Sequence, residues 1–349
     1  MATTKTESIE LNNQSQTIRG QIELLSLVEG FFSSSVVFAL HRLRVFEILD
    51  KSEKTSADLA QEIGAPAESL ERILNAAVML KLLNCVGDRY QLSDIAQSVL
   101  APSAGDAYLG DWIELMEQFS HAYTRLDQAV IGQCPTLDPK DYLGGDQDRT
   151  RRYVYAMHNY AATRGKGLAR YLNTRDLRSI LDLGCGPGTF AFHLATENPN
   201  LKITLADVPG VLEVTREIHA KYPLVNQVEY LPMDASCDEI PGTYDLVLAS
   251  NFLQCFEDSQ RSLLLSKIFQ SVRPGGSLVV QAQHLQPDRR GGRWAVFVDL
   301  NLLCTTDSGR NHTMEQTATW LSEAGFVNLE HNNMSVFGTT SFVRGYRPQ

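Results

Sequence analysis

From Ser179 to Gln283 five short apolar runs, "SILDLG", "KITLAD", "QVEYLPM", "YDLVLAS" and "SLVVQAQ", alternate with polar segments of helical character. Runs of this length joined by helix-length connections pair side by side as a mostly parallel sheet with helices on its faces. This half of the chain is therefore confined to an α/β fold. Near the end, "GFVNLEHNNMSVFGTTSFVRGYRP" supplies two more strands, expected as an antiparallel hairpin at the sheet edge.

The strand tips carry the chemistry. "LDLGCGPGTF" ends the first run at Asp182 and turns through Gly184, Gly186 and Gly188 into a helix. Glycines let a ligand approach the backbone closely and permit positive φ. The spacing is GxGxG, not the GxGxxG of dinucleotide sites. About 20 residues on, "LADVPGV" sets Asp207 at the tip of the second run, where a carboxylate can hold both ribose hydroxyls of an adenosine. "LPMDAS" sets Asp234 after the third, in reach of an adenine amino group. Either acid alone would read as a solvated loop residue. Three matched tips in order favour S-adenosylmethionine (SAM) over NAD.

The N-terminal part reads differently. "MATTKTESIELNNQSQ" is polar and lacks a signal-peptide core, so residues 1–20 are expected as a disordered tail. From Gln21 to Phe46 a helix is apolar over most of its circumference, as in a core helix or one buried against a second subunit. Thr55 or Ser56 caps a short helix closed by Gly64; a second helix and a hairpin with a Gly-Asp turn follow. This winged-helix order raises DNA binding. A recognition helix needs cations for phosphates and base edges, and this one offers Glu68, Glu71 and Arg72. A net charge of -10 points the same way. The reading is a protein without nucleic-acid or membrane partners. The expected domains are 21–105 (winged helix), 106–172 (helical linker and pocket roof) and 173–349 (SAM-binding). Six scattered cysteines without a CxxC pair fit a reducing cytoplasm and give no metal-site spacing.

With "LDLGCGPGT", "LADVPGVL", "NFLQCFEDSQRSLLLSKIFQSVRPGGSLVV" and "DLNLLCTTDSGRNHTMEQTATWLSEAGF", the chain resembles the small-molecule O-methyltransferases that carry an N-terminal winged-helix dimerisation domain. The resemblance covers about Gln21 to Pro348. It implies a class I Rossmann-like α/β sheet behind an all-helical or winged-helix dimerisation domain, a homodimer, and SAM as methyl donor without a metal. Asp182, Gly184, Gly186, Gly188, Asp207, Val208, Asp234, Ala235 and Ser250 are then the cofactor-binding residues.

The reaction site departs from that pattern. The relatives place a histidine base after the fourth strand, an orienting acid at the end of the fifth, and a second acid in a GG-x-E-R-T-like segment. Here these positions fall on Gln254, Ala282 and Asn311. An amide takes up no proton at neutral pH, whereas a phenol of pKa near 10 gains from a positioned base. Three readings follow: transfer to a nucleophile that needs no base, with Gln254 orienting it; O-methylation with a relocated base at His158, His284 or His312; or SAM binding without transfer. A thioether sulfur suits the first, an amine or electron-rich carbon also.

In "RRYVYAMHNYAATRGKGLARY", Tyr153, Met157, Tyr160 and Arg164 share a helix face. By resemblance the first three contact substrate, as does Asn301 beyond the linker. Such a stripe also suits plain core. Arg289, Arg290, Arg293 and Trp294 lie in "HLQPDRRGGRWAVFVDLNLL"; an inward arginine there could clamp a carboxylate, and a solvated basic loop is the bland alternative. Thioether plus carboxylate describes 4-methylthio-2-hydroxybutyrate, the acceptor of an S-methylation leading to dimethylsulfoniopropionate, as in related bacterial enzymes. The competing substrates are secondary metabolites or tetrapyrroles methylated on N, C or O.

Overall fold

The computed structural model describes residues 16–132, 143–333 and 340–349. Two compact units divide at Ile113 and Glu114.

In the first unit, α1 (Gln16–Arg42) exposes Ile18, Ile22, Leu25, Leu27, Phe31 and Phe32. It starts before the expected Gln21, so residues 16–20 are helical rather than tail. An Arg19–Glu23 pair one turn apart supports that start. Its best 18-residue window has a mean hydropathy of 1.6, so by length and composition it could cross a membrane. No membrane partner is expected from the sequence; length and composition alone do not exclude one for this helix. The helix stops at Arg42 because Arg44 turns left-handed (φ 58°), and α2 (Val45–Lys51) follows. After β1 (Lys54–Thr55) come α3 (Ser56–Ile63), α4 (Ala67–Met79), β2 (Leu83–Val86), β3 (Arg89–Leu92) and α5 (Asp94–Val99). Thr55 and Asp58 form a reciprocal cap on α3. The strands pair in the order β1-β3-β2. Leu40, Phe46, Leu59, Leu70, Leu74 and Leu83 form the core of this unit, while Glu68 and Glu71 stay exposed on α4.

Beyond α6 (Gly110–Tyr123) and α7 (Leu126–Val130), α8 (Gln147–Leu172) is the long helix of the second unit. Asp146 caps it by accepting from Arg149 N. Then β4 (Ser179–Leu183), α9 (Thr189–Glu197), β5 (Lys202–Asp207), α10 (Pro209–His219), β6 (Val228–Pro232), β7 (Tyr244–Ser250), α11 (Asp258–Ser271) and β8 (Val272–Ala282) alternate. The last elements are α12 (Arg293–Thr305), α13 (Met314–Glu323), β9 (Val327–Asn333) and β10 (Ser341–Tyr346).

The sheet order is β6-β5-β4-β7-β8-β10-β9. The first five strands are parallel, and β10 runs antiparallel to both β8 and β9. The expected hairpin is present, but its second strand enters the sheet interior and leaves β9 at the edge. Alternation along each strand serves two cores. Ile180, Leu246, Leu248 and Val279 pack with α8, α9 and α10, whereas Leu181, Val247, Ala249 and Val280 pack with α11 and α13. The chain leaves β4 toward β5 and β6 and returns on the other side through β7. This reversal opens a crevice at the carboxyl ends of β4 and β7.

Candidate active site

The cofactor half stands on four neighbouring strand ends. Asp182 on β4 is buried, and its Oδ1 has no partner among the described residues. Burial first, then the charge of Asp207, raises its carboxyl well above the usual range. The next turn is left-handed at Gly184, Gly186 and Gly188 (φ 66°, 51° and 69°). The first two glycines serve different ends. A side chain at Gly184 would collide with the Phe252 ring, so that residue exists for packing. A side chain at Gly186 would meet nothing within 4 Å, so its backbone edge is open to a ligand.

Asp207 ends β5 and holds this loop. Its Oδ2 accepts from Gly186 N at 2.9 Å and its Oδ1 from Val208 N at 2.8 Å. Burial raises its pKa to about 6 despite those two donors. Each oxygen retains a lone pair for a ribose hydroxyl. Past β6, Asp234 is exposed; its Oδ1 accepts from Ser236 N (2.9 Å) and Oγ (2.6 Å). Ala235 beside it is buried. Ser250, at the end of β7, donates to Gln281 Oε1. An orphaned carboxylate oxygen, an open glycine edge and two further acids in sequence fit a cationic, ribose-bearing nucleoside. Asp182, Gly186, Asp207, Asp234 and Ala235 would hold SAM there, which when bound supplies an electrophilic methyl on a sulfonium.

The acceptor half is built from amides. Gln254 lies in a short 3-10 turn (Leu253–Cys255) and is only 8% exposed. Its carbonyl accepts from Arg310 N at 3.0 Å, while no residue bonds its side-chain amide among the described residues. Asn311 is fully enclosed. Its Nδ2 donates to Gln283 O (2.6 Å) and Ala295 O (3.0 Å), and its N–H donates to Asp299 Oδ1 (2.6 Å). A carboxylate at 311 would face two carbonyl oxygens, so the local structure itself excludes an acid.

The expected placement of the other lost acid needs correction. Ala282 turns to the α13 side of β8. The polar group reaching the roof helix is Gln283, whose Nε2 donates to Tyr160 OH at 2.9 Å. Gln283 and Asp299 are the site residues that sequence reasoning missed. Period-two alternation along "LVVQAQ" was the available signal for Gln283. Asp299 had none, because its role depends on a partner twelve residues away.

Neither candidate base beyond β8 is suited to the task. His284 has both ring nitrogens engaged, Nδ1 with Ser341 Oγ (2.8 Å) and Nε2 with Thr317 Oγ1 (3.2 Å), and burial lowers its pKa to about 4. His312 packs edge-on against Trp320. Burial, then the charges of Arg261, Arg310 and Arg289, lower its pKa to about 3. A base so weak holds almost no proton near neutrality. His158 lies on the inner side of α8, with Nδ1 2.9 Å from Thr189 Oγ1.

The roof stripe is present. Tyr153, Met157, Tyr160 and Arg164 are all half-buried along one side of α8. Tyr153 also packs on the core beneath, so it is the member most engaged in structure. The Arg164 guanidinium lies 3.8 Å from the Tyr160 ring centroid and donates to Tyr160 O. On α12, Trp294 is half-buried and Asn301 has a buried Oδ1 without a partner among the described residues.

A family model for the O-methyltransferase domain matches residues 108–327, and one for the O-methyltransferase dimerisation domain matches residues 25–102. The chain belongs to the O-methyltransferase family. The methyltransferase is 27% identical to the tetracenomycin polyketide synthesis 8-O-methyl transferase of Streptomyces glaucescens, over 95% of this chain and 98% of that one. It is 24% identical to the 3-hydroxy-5-methyl-1-naphthoate 3-O-methyltransferase of Streptomyces sahachiroi, over 93% and 94%. Its fold matches that of human N-acetylserotonin methyltransferase in complex with SAM (TM-score 0.85, 23% identity, 95% and 98% coverage). The protein is thus a SAM-dependent methyltransferase acting on a small molecule.

Proposed function

We infer that this methyltransferase acts on an oxygen of a hydroxylated polycyclic aromatic, one acidic enough to ionise without help from the protein. The observation that carries this reading is Gln254, an amide with a free side chain where the relatives place a base. A substrate arriving as a phenolate needs only alignment with the methyl group and exclusion of water. The half-buried Tyr153, Met157 and Tyr160 offer an aromatic acceptor surface. The two curated relatives above, by their names, methylate hydroxyls of a polyketide and a naphthoate.

The same amide also suits a thioether, which has no proton to lose. Methylation of 4-methylthio-2-hydroxybutyrate is therefore the second reading. Two of its three candidate clamps are otherwise engaged: Arg289 donates to Gln316 Oε1 and Asn311 O, and Arg293 lies over the Phe297 ring, while Arg290 is exposed.

A transfer assay with methyl-labelled SAM separates the two. The panel contains hydroxynaphthoates, hydroxyanthraquinones, simple phenols, amines and thioethers. Label on the acidic aromatic hydroxyls is expected, with kcat/KM rising with pH along the substrate's own ionisation. Label on thioethers alone would overturn the oxygen reading. The exposed apolar side of α1 and the dimerisation-domain match support a homodimer, to be checked by light scattering; a monomer across the micromolar range would reject it.

A further inference from the structure

The helix that carries the acceptor surface and the helix that begins at the glycine turn grip each other through a reciprocal pair of histidines. From α8, His158 reaches Thr189 Oγ1 at 2.9 Å. From α9, His193 reaches back to Ala162 O at 3.0 Å. Both imidazoles and Thr189 are buried. The helices approach closely because Gly165 lies against the His193 ring, where a larger residue would collide. Tyr222 closes the pair, packing edge-on to both rings.

The two arms differ in what they reach. His193 ends on a backbone carbonyl in the middle of α8. His158 ends on the first residue of α9, directly after Gly188 of the cofactor turn. On α8, His158 directly follows Met157 of the acceptor stripe and lies on the buried side of the helix, opposite the half-buried Tyr160. A displacement of the glycine turn is therefore passed to α8 through the bond between Thr189 and His158. In the reading proposed above, which needs no base, His158 takes no part in the transfer, yet it joins both halves of the site.

We propose that His158 is a positioning residue that couples occupation of the cofactor turn to the order of the acceptor helix. Binding of SAM at Gly184–Gly188 fixes Thr189, and the His158 bond then holds residues 153–164 in the arrangement that receives substrate. The coupling is a free energy shared by the two sites, so it works in both directions.

The test needs no knowledge of the acceptor. Amide hydrogen exchange is followed along α8 in the full-length protein, with and without saturating SAM. In the wild type, SAM should slow exchange across residues 153–164 by about tenfold, a coupling of ordinary size. In His158→Leu the slowing should vanish while SAM affinity stays within about threefold. In His158→Asn, whose amide can still bond Thr189, it should return in part. Equal slowing in His158→Leu, or no slowing in the wild type, would overturn the proposal. If His158→Leu does not fold, Thr189→Val removes the same bond from the other side, and the same two outcomes decide.

Discussion

The cofactor half and the acceptor half of the site lie at the same carboxyl end of the sheet but differ in composition. The first is built on carboxylates at successive strand tips, Asp182, Asp207 and Asp234. The second is built on amides, Gln254, Gln283 and Asn311. The difference follows from their tasks. SAM brings a cation and hydrogen-bond donors, which carboxylates bind well. The phenolate acceptor proposed above would need alignment, and a neutral amide would give this without repelling it.

Four substitutions or conditions strain that contrast, from the largest expected effect to the smallest. Asn311→Asp sets a carboxylate against Gln283 O and Ala295 O, and should cost about 3 kcal/mol of stability in urea unfolding. An unchanged midpoint would mean that the amide is not required there. Asp207→Ala removes the hold on Gly186 as well as the expected ribose contact, and SAM affinity by calorimetry should fall by about 100-fold. Unchanged affinity would overturn the cofactor assignment.

Acidification tests the same residue more gently. Ribose hydroxyls would donate to the ionised carboxylate of Asp207, whose pKa burial raises to about 6. SAM affinity should be constant above that pH and fall below it, approaching about tenfold per pH unit. Loss on raising the pH instead would show that another group controls binding. The mildest change is Gln254→Ala, expected to lower kcat by about fivefold with SAM affinity unaltered. Complete loss of turnover would assign Gln254 more than an orienting role.

The fold and the cofactor half were legible because both depend on local order. Apolar alternation sets the strands, and the glycine turn follows Asp182 directly in sequence. The acceptor half depends on contacts between distant segments. That Gln254 departs from the family pattern could be seen; that Asn311 is used up as a clip between Gln283 and Ala295 could not. The error at Ala282 was one of parity: shifting a strand by one residue reverses the face its side chain meets. The start of α1 was misplaced because polar composition was weighed above the Ile18, Ile22 and Leu25 spacing.

The position of β10 bears on how this enzyme is made. Strands β4 to β8 emerge in order, but β8 gains its outer neighbour only when Ser341 pairs with Ala282, 59 residues later. Ser341 is also the residue that bonds His284. On the ribosome strands β4 to β8 can therefore pair first, and β10 arrives last to close the catalytic wall and to add Phe342 to the core under α8 and α9. A nascent chain stalled before residue 341 lacks both the partner of His284 and the last member of that core, so both halves of the site wait on the final strand.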